Sequence, residues 1–140
     1  MGQQQLLLII LGVIVVGIAV AVGITMFSDS ATNANRDAMT NDLVNLASRA
    51  QQYFRRPTSL GGGGYTFAGL AATPAGMAIL TNKPQNGNGS YYIKTPGSGS
   101  GTGAVVEIEG LGNETGTDGT NPVKMHIKVF ASSDSVWVLN

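Results

Sequence analysis

The sequence predicts an α+β chain, in which a long N-terminal helix with an apolar first half precedes a small C-terminal antiparallel β-sheet head. The first observation is an uncharged apolar run of 22 residues at positions 6–27. The second is an apolar stripe at helical spacing within a segment, residues 24–56, that contains no Gly or Pro. The third is a series of short alternating segments, separated by Gly- and Ser-rich turns, between residues 90 and 139.

These patterns divide the chain into three parts. Residues 1–27 are predicted as an apolar transmembrane or filament-core helix, residues 28–56 as its amphipathic continuation, and residues 57–140 as a small globular head with about four strands. The apolar run would be about 33 Å long as a helix, which matches the hydrocarbon thickness of a bilayer. A head of this size has no core large enough to cover such a helix.

The apolar run has three interpretations. A cleaved secretory signal is one, since Ala19-Val20-Ala21 offers a small-x-small cleavage pattern. A plain single-span anchor is the second. The third is an assembly helix that packs against identical helices, because Gly17 and Ala21, and likewise Ala19 and Gly23, are small residues four positions apart that allow close helix approach.

Residues 28–56 have the pattern of a helix with one apolar face. Most aspartates of this segment precede its arginines, which suits the helix dipole, and Pro57 ends the helix. We expect one nearly continuous helix over residues 4–56, weaker at 28–35. The predicted stripe consists of Met39, Leu43, Leu46, Ala50 and Tyr53, widened by Val44, Ala47 and Phe54.

The head is predicted to contain one short helix and an antiparallel meander. Thr73 and Pro74 supply the cap and first turn of a helix over residues 74–80. Strands are predicted at 90–95, 103–109, 123–131 and 135–139, and the loops at 96–103 and 110–121 are predicted to face solvent. Alternation predicts one packed and one solvated sheet face, with Glu107 or Glu109 opposite Lys124 or Lys128 on the solvated one.

Composition and motifs give no support for enzymatic or cofactor chemistry. The chain has eight basic and eight acidic residues, so it lacks the basic excess of a nucleic-acid binder, and it contains no Cys. The single His126 lies between two lysines on the predicted solvated face, where we expect a solvated side chain. Residues 61–64, four glycines, lack the Lys-Ser/Thr of a phosphate-binding loop and are predicted to connect the helix to the head. Glu114 and Asp118 lack the alternating oxygen ligands of a calcium loop.

An uncharged tip, an apolar helix, its amphipathic continuation and a small antiparallel head together resemble a type IV pilin or pseudopilin. In that family a peptidase cuts after a Gly in a short leader, the helices bundle into a filament core and the heads form the shell. The resemblance makes Gly2 the leader-cleavage candidate; alternatively Met1 is itself the first mature residue. The usual fifth-position Glu is replaced by Gln5 or, after cleavage, by Leu7, and the helix-bending Pro and C-terminal disulfide are missing.

The resemblance implies a structural subunit of an extracellular, type IV pilus-like filament. The implied partners are copies of the same chain, the inner membrane before assembly and pilus assembly machinery, with no nucleic-acid contact and no cofactor. Two alternatives remain: a membrane-anchored pseudopilin-like component of a secretion or DNA-uptake machine, or a secreted binding domain with a cleaved signal. The predicted assembly residues are the polar Gln3, Gln4 and Gln5 and the glycines Gly12, Gly17 and Gly23.

Overall fold

A computed structural model of the chain describes residues 2–140 and has the α+β arrangement predicted from the sequence. One long helix precedes a second, short helix and four strands. The elements are α1 (Gly2–Arg55), α2 (Pro74–Leu80), β1 (Gly89–Ser98), β2 (Val105–Thr115), β3 (Pro122–Phe130) and β4 (Asp134–Val138). Single 3₁₀ turns at Thr58–Leu60 and Gly101–Gly103 lie in the connections.

The four strands form one antiparallel sheet in the order β1-β2-β3-β4. Each strand pairs with the next along the chain, so all three connections are short and local. The second half of α1 packs across β2 and β3, the two central strands. The sheet therefore has one face against the helix and one face on the opposite side.

The core lies between the second half of α1 and the inner face of the sheet. Val123, Met125, Ile127 and Val129 alternate along β3 and are at most 2% exposed, as their spacing predicts. The buried hydrophobic residues of α1 are Met39, Leu43, Leu46, Ala47, Ala50 and Phe54.

The predicted stripe is wrong at Val44, and its member Tyr53 is only partly buried. Val44 is 41% exposed, and Tyr53 is half-buried at the margin of the core. Phe54 takes the innermost place at the end of α1, with its ring centroid 5.0 Å from that of Phe67 and 5.7 Å from that of Tyr65. A helix turns every 3.6 residues, so a stripe counted in alternating steps of three and four drifts by about 20° every seven residues and reaches the margin of the buried face at its end.

Helix α1 runs without interruption through residues 28–35, where the sequence favours helix only weakly. Two side chains attach this part of the helix to the sheet and its loops. The Thr32 hydroxyl donates to the Thr115 carbonyl, and the Asn35 amide donates to the Asn88 carbonyl, both at 2.8 Å. These tertiary contacts compensate for the low helix propensity of Thr and Asn.

The glycines at 61–64 form the C-terminal cap of α1. The main-chain N–H groups of Gly63, Gly64 and Tyr65 donate to the carbonyls of Tyr53, Arg56 and Phe54 at 2.8, 3.0 and 2.8 Å. Gly61 and Gly64 have φ angles of 73° and 58°, which glycine adopts at little cost. These N–H groups are occupied within the chain, so the glycines are an ordered cap and not a phosphate cradle.

The two loops predicted to face solvent are partly strand. Residues 96–98 belong to β1 and residues 110–115 to β2. The Gly97 N–H donates to the Leu70 carbonyl at 2.8 Å, and Gly110 and Gly112 are buried against α1. A Cβ at Gly112 would lie 2.2 Å from the Asn35 side-chain oxygen. The glycines of these segments permit close backbone packing, although a Gly-rich sequence is also typical of a flexible loop.

We predict that Leu43→Ala destabilises the head by about 2–5 kcal/mol, because Leu43 is fully buried and its truncation leaves a cavity. Val44→Ala is the matched control, since the neighbouring Val44 points away from the core. Urea unfolding of the full chain in detergent, followed by Trp137 fluorescence, measures the difference. Equal unfolding midpoints for the two variants would contradict the packing of α1 on the sheet.

Candidate assembly helix and a buried ionic cluster

The first half of α1 is exposed along its whole length. Every residue from 2 to 30 is exposed, and the apolar side chains between Leu6 and Phe27 are 50–78% exposed. The most apolar window of the helix has a mean hydropathy of 3.2 and no buried residue. Among residues 2–140, α1 is the one helix long and apolar enough to cross a membrane. This segment is thus compatible with membrane association.

The predicted assembly residues all lie on this exposed half of α1. Gln3, Gln4 and Gln5 are exposed, and Gly2 is the first residue of the helix as described. Met1, the alternative first residue, lies outside the described part of the chain. Apart from the adjoining backbone of its own helix, a Cβ added at Gly2, Gly12, Gly17 or Gly23 would meet no atom of the chain within 4 Å. The single chain therefore has no packing requirement for glycine at these positions.

The small residues of the apolar run lie on two sides of the helix. At about 100° per residue, Gly12, Ala19 and Gly23 fall on the side that continues into the exposed, head-free face of the lower half of α1. Gly17 and Ala21 fall on nearly the opposite side, in line with the residues of α1 that pack on the head. The sequence brings small residues to two different faces, so the apolar half offers two places where another backbone can come close.

The hydroxyl of Thr25 does not interrupt the apolar surface. It donates to the Val22 carbonyl of its own helix at 2.8 Å. A threonine hydroxyl that is satisfied inside its helix needs no water or partner, so Thr25 is compatible with an apolar environment.

A second group of contacts, centred on Asp42, joins α1 to the start of β1 and to the residues just before it. The Oδ2 atom of Asp42 accepts hydrogen bonds from the Asn86 amide, the Asn88 amide and the Tyr91 hydroxyl at 2.8, 2.8 and 2.7 Å. Partial burial raises the pKa of Asp42, but the three donors outweigh this effect, so its pKa lies below the usual value. Burial and the Asp42 carboxylate raise the pKa of Tyr91. Asp42 is thus ionised and holds the β1 end of the head against the helix.

The sheet face away from α1 carries a buried ionic cluster. Glu109 on β2 and His126 on β3 are register partners and are only 3% and 5% exposed. The Glu109 carboxylate accepts from the Tyr92 hydroxyl, contacts His126 Nε2 and pairs with Lys94 Nζ at 3.0 Å. Lys94 Nζ also lies 3.1 Å from His126 Nε2, and the Trp137 ring meets the imidazole edge-on at a centroid distance of 5.6 Å.

The electrostatics of this cluster keep the carboxylate charged. Burial raises the pKa of Glu109, but donation from Tyr92, Lys94 and His126 outweighs it, and the pKa lies below its ordinary value. Burial raises the pKa of Tyr92, and the hydrogen bond to Glu109 and the negative charge of Glu109 raise it further, to about 12. The cluster is an internally paired network that joins three strands, and Trp137 on β4 covers it.

The prediction of a solvated His126 is wrong. The sequence pattern assigned this residue to the wet face, but the large rings of Tyr92 and Trp137 and the stem of Lys94 cover that face over the middle of the sheet. Glu109 pairs with His126 and Lys94 instead of with the lysines of β3. The other expected pair is present, since Glu107 lies 3.3 Å from Lys128, its register partner.

The loop around Asp118 is held by the aspartate itself. Asp118 accepts from the N–H groups of Thr120 and Asn121 at 3.0 Å and from the Asn121 amide at 2.7 Å, and these bonds lower its pKa. This is the geometry of a turn-forming aspartate. Within residues 2–140, no group of three or more His, Asp or Glu side chains is arranged to hold a metal ion.

Comparison of the chain with protein-family models, with curated proteins and with solved structures gives no match in any of the three.

We predict that Glu109→Gln makes the stability of the head less dependent on pH. The folded pKa of Glu109 lies below its unfolded value of about 4.3. The stabilisation that ionised Glu109 gives the folded head is therefore complete above the unfolded pKa. It is lost as the pH falls through the folded pKa. Urea unfolding at pH 7 and at pH 3 should show a larger loss for the unchanged chain than for the variant.

Glu114→Gln is the control, because it removes a carboxylate from the exposed end of β2. If the pH dependence of Glu109→Gln matches that of the unchanged chain, the carboxylate is not the ionised centre of the cluster.

Proposed function

We propose that this chain is the structural subunit of an extracellular, pilus-like filament that polymerises through the apolar half of α1. The observation that carries the proposal is the uncharged surface of residues 6–27, which is exposed on every side although the head already has a closed core of its own. Soluble monomers rarely expose apolar patches of more than a few hundred Å². Burying one Leu or Ile is worth about 1.5–3 kcal/mol, so this surface dominates the free energy of any contact the chain makes.

Two further features favour a polymer over a simple anchor. First, α1 continues unbroken from the apolar run into the head, so a bundle of apolar helices would fix the heads in place as well. Second, the outward side of the lower half of α1 stays exposed and mostly uncharged, with Asn41, Val44, Ser48 and Gln52 along it. A chain that only needed an anchor would have no use for such a surface next to the membrane.

Before assembly, the apolar half of α1 would be stored in the inner membrane, and pilus assembly machinery would extract it into the filament. The polymer contacts are then made by the apolar half, with Gln3, Gln4 and Gln5 as a polar ring at one end. A membrane-anchored pseudopilin-like role is the second candidate, since it uses the same exposed helix without a lasting polymer. The secreted domain with a cleaved signal is the third.

Electron microscopy of sheared surface material, paired with mass spectrometry and N-terminal sequencing of the chain, tests the proposal. Filaments whose main component is this chain, with the apolar run retained, are the expected result. An N-terminus at Val22 would contradict both polymerising roles. If the chain with its apolar run stays in the membrane and forms no filaments even at high expression, the result would favour the membrane-anchored pseudopilin-like role.

We predict that Gly17→Leu lowers filament yield without changing the fold of the monomer. Gly17 is exposed and a Cβ there meets no neighbouring side chain in the single chain, so circular dichroism and melting in detergent should be unchanged. In a bundle, the leucine side chain would push apart two helix backbones that can come close together at glycine. Filament mass after shearing is the measurement.

Two controls accompany Gly17→Leu. Val16→Leu changes a position that already carries a bulky side chain, and Gly12→Ala adds only a methyl group. Both are expected to form filaments nearly as well as the unchanged chain. Normal filament mass and melting for Gly17→Leu would exclude close packing at this glycine.

A further inference from the structure

We propose that neighbouring copies in the filament pair Arg55 of one chain with Asp37 of another, and that this pairing sets an axial offset of five helical turns between them. The inference rests on the proposed function, since it needs copies packed side by side. It identifies the partner of the lower half of α1 as a second copy of the same chain.

Asp37 and Arg55 lie on the same line of α1. They are 18 residues apart, which is five turns or about 27 Å along the axis. Both side chains are exposed, and neither bonds to another residue in the described part of the chain. They point away from the buried stripe that packs on the sheet, so they are available to a neighbouring helix.

The helix face between these two charges is neutral. Its exposed residues are Asn41, Val44, Asn45, Ser48 and Gln52. Arg49 is the remaining exposed charge of this stretch, and it turns to the head, where it donates to the Leu80 carbonyl at 2.9 Å. The face is thus a neutral strip with one negative and one positive end.

This charge pattern distinguishes between possible offsets of two parallel helices. Without an offset, Asp37 would face Asp37 and Arg55 would face Arg55, which is repulsive at both ends. An offset of about 27 Å replaces this repulsion by an Arg–Asp pair. Arg56 follows Arg55 directly and adds positive charge at the same level. Smaller offsets leave both charges against the neutral strip, where partial burial without a partner is costly.

The side of α1 that carries Asp37 and Arg55 is also the side that a bundle could bury. Ala19 lies 18 residues before Asp37 on the same line, and Gly12 and Gly23 flank it, so small residues continue the same head-free side upward into the apolar run. A bundle that buries this side keeps all heads on its outside. The neutral strip and its two charged ends would then face the inside of the bundle, where an ion pair is less screened by salt.

A cysteine pair tests the offset directly, because the chain has no native Cys. In Asp37→Cys/Arg55→Cys the two sites are about 27 Å apart on one rigid helix, whereas a disulfide needs Cα atoms within about 7 Å. Any disulfide in this variant is therefore between copies. Mild oxidation of purified filaments should give a ladder of multimers on a non-reducing gel. The single variants Asp37→Cys and Arg55→Cys can join only like to like, and they should stay monomeric.

A charge exchange is the second measurement. Asp37→Arg and Arg55→Asp should each lower filament mass about tenfold or more, since each leaves like charges together. The double exchange Asp37→Arg/Arg55→Asp should restore filaments. Lys83→Asp, which reverses an exposed charge in the head, is the matched control and should assemble normally.

The outcomes separate the offset from the filament itself. Filaments of the double cysteine variant without disulfide multimers, dimers in either single variant, or a double exchange no better than the single ones would each overturn the offset. If the unchanged chain forms no filaments, the proposed function fails, and this result is distinct from all three.

Discussion

The continuity of α1 is the constraint on which the rest of the structure depends. One helix passes from a segment exposed on every side to a segment that forms half of the core, without a Pro or a break between them. The head has no other large apolar element to pack its sheet against. The orientation of the head is therefore fixed by the same rod that carries the apolar surface, and neither half can turn independently of the other.

Hydrogen bonds reinforce the contact between α1 and the head at both of its ends. Thr32 and Asn35 bond to main-chain carbonyls of the head at the upper end of the contact, while Gln51 reaches the carbonyls of Phe130 and Ser133 at the lower end. These bonds join residues that are far apart in the sequence. A hydrogen bond contributes only about 0.5–1.5 kcal/mol, but several placed at both ends restrict rotation of the helix on the sheet.

Much of the fold follows from patterns that act locally in the sequence. The alternation of Val123, Met125, Ile127 and Val129 predicts the inner face of β3, and the Thr73 side chain caps α2 by accepting from the Gly76 N–H as its position suggests. The ionic cluster was not predictable in this way. Alternation assigns His126 to the outer face but does not reveal that Tyr92 and Trp137, from two other strands, cover it. Only the register of β1, β2 and β3 brings these groups together.

The exposed glycines of α1 have no explanation within the single chain. Gly in a helix interior costs roughly 0.5–1 kcal/mol relative to Ala, and the many β-branched neighbours of Gly12, Gly17 and Gly23 already make this helix a weak one. An added Cβ at any of the three would touch nothing. In the head the situation is the reverse, since Gly97 and Gly112 are each required by backbone or side-chain atoms next to them. The same residue type is thus required by visible packing in the head, whereas the packing of the single chain places no such requirement on the apolar half.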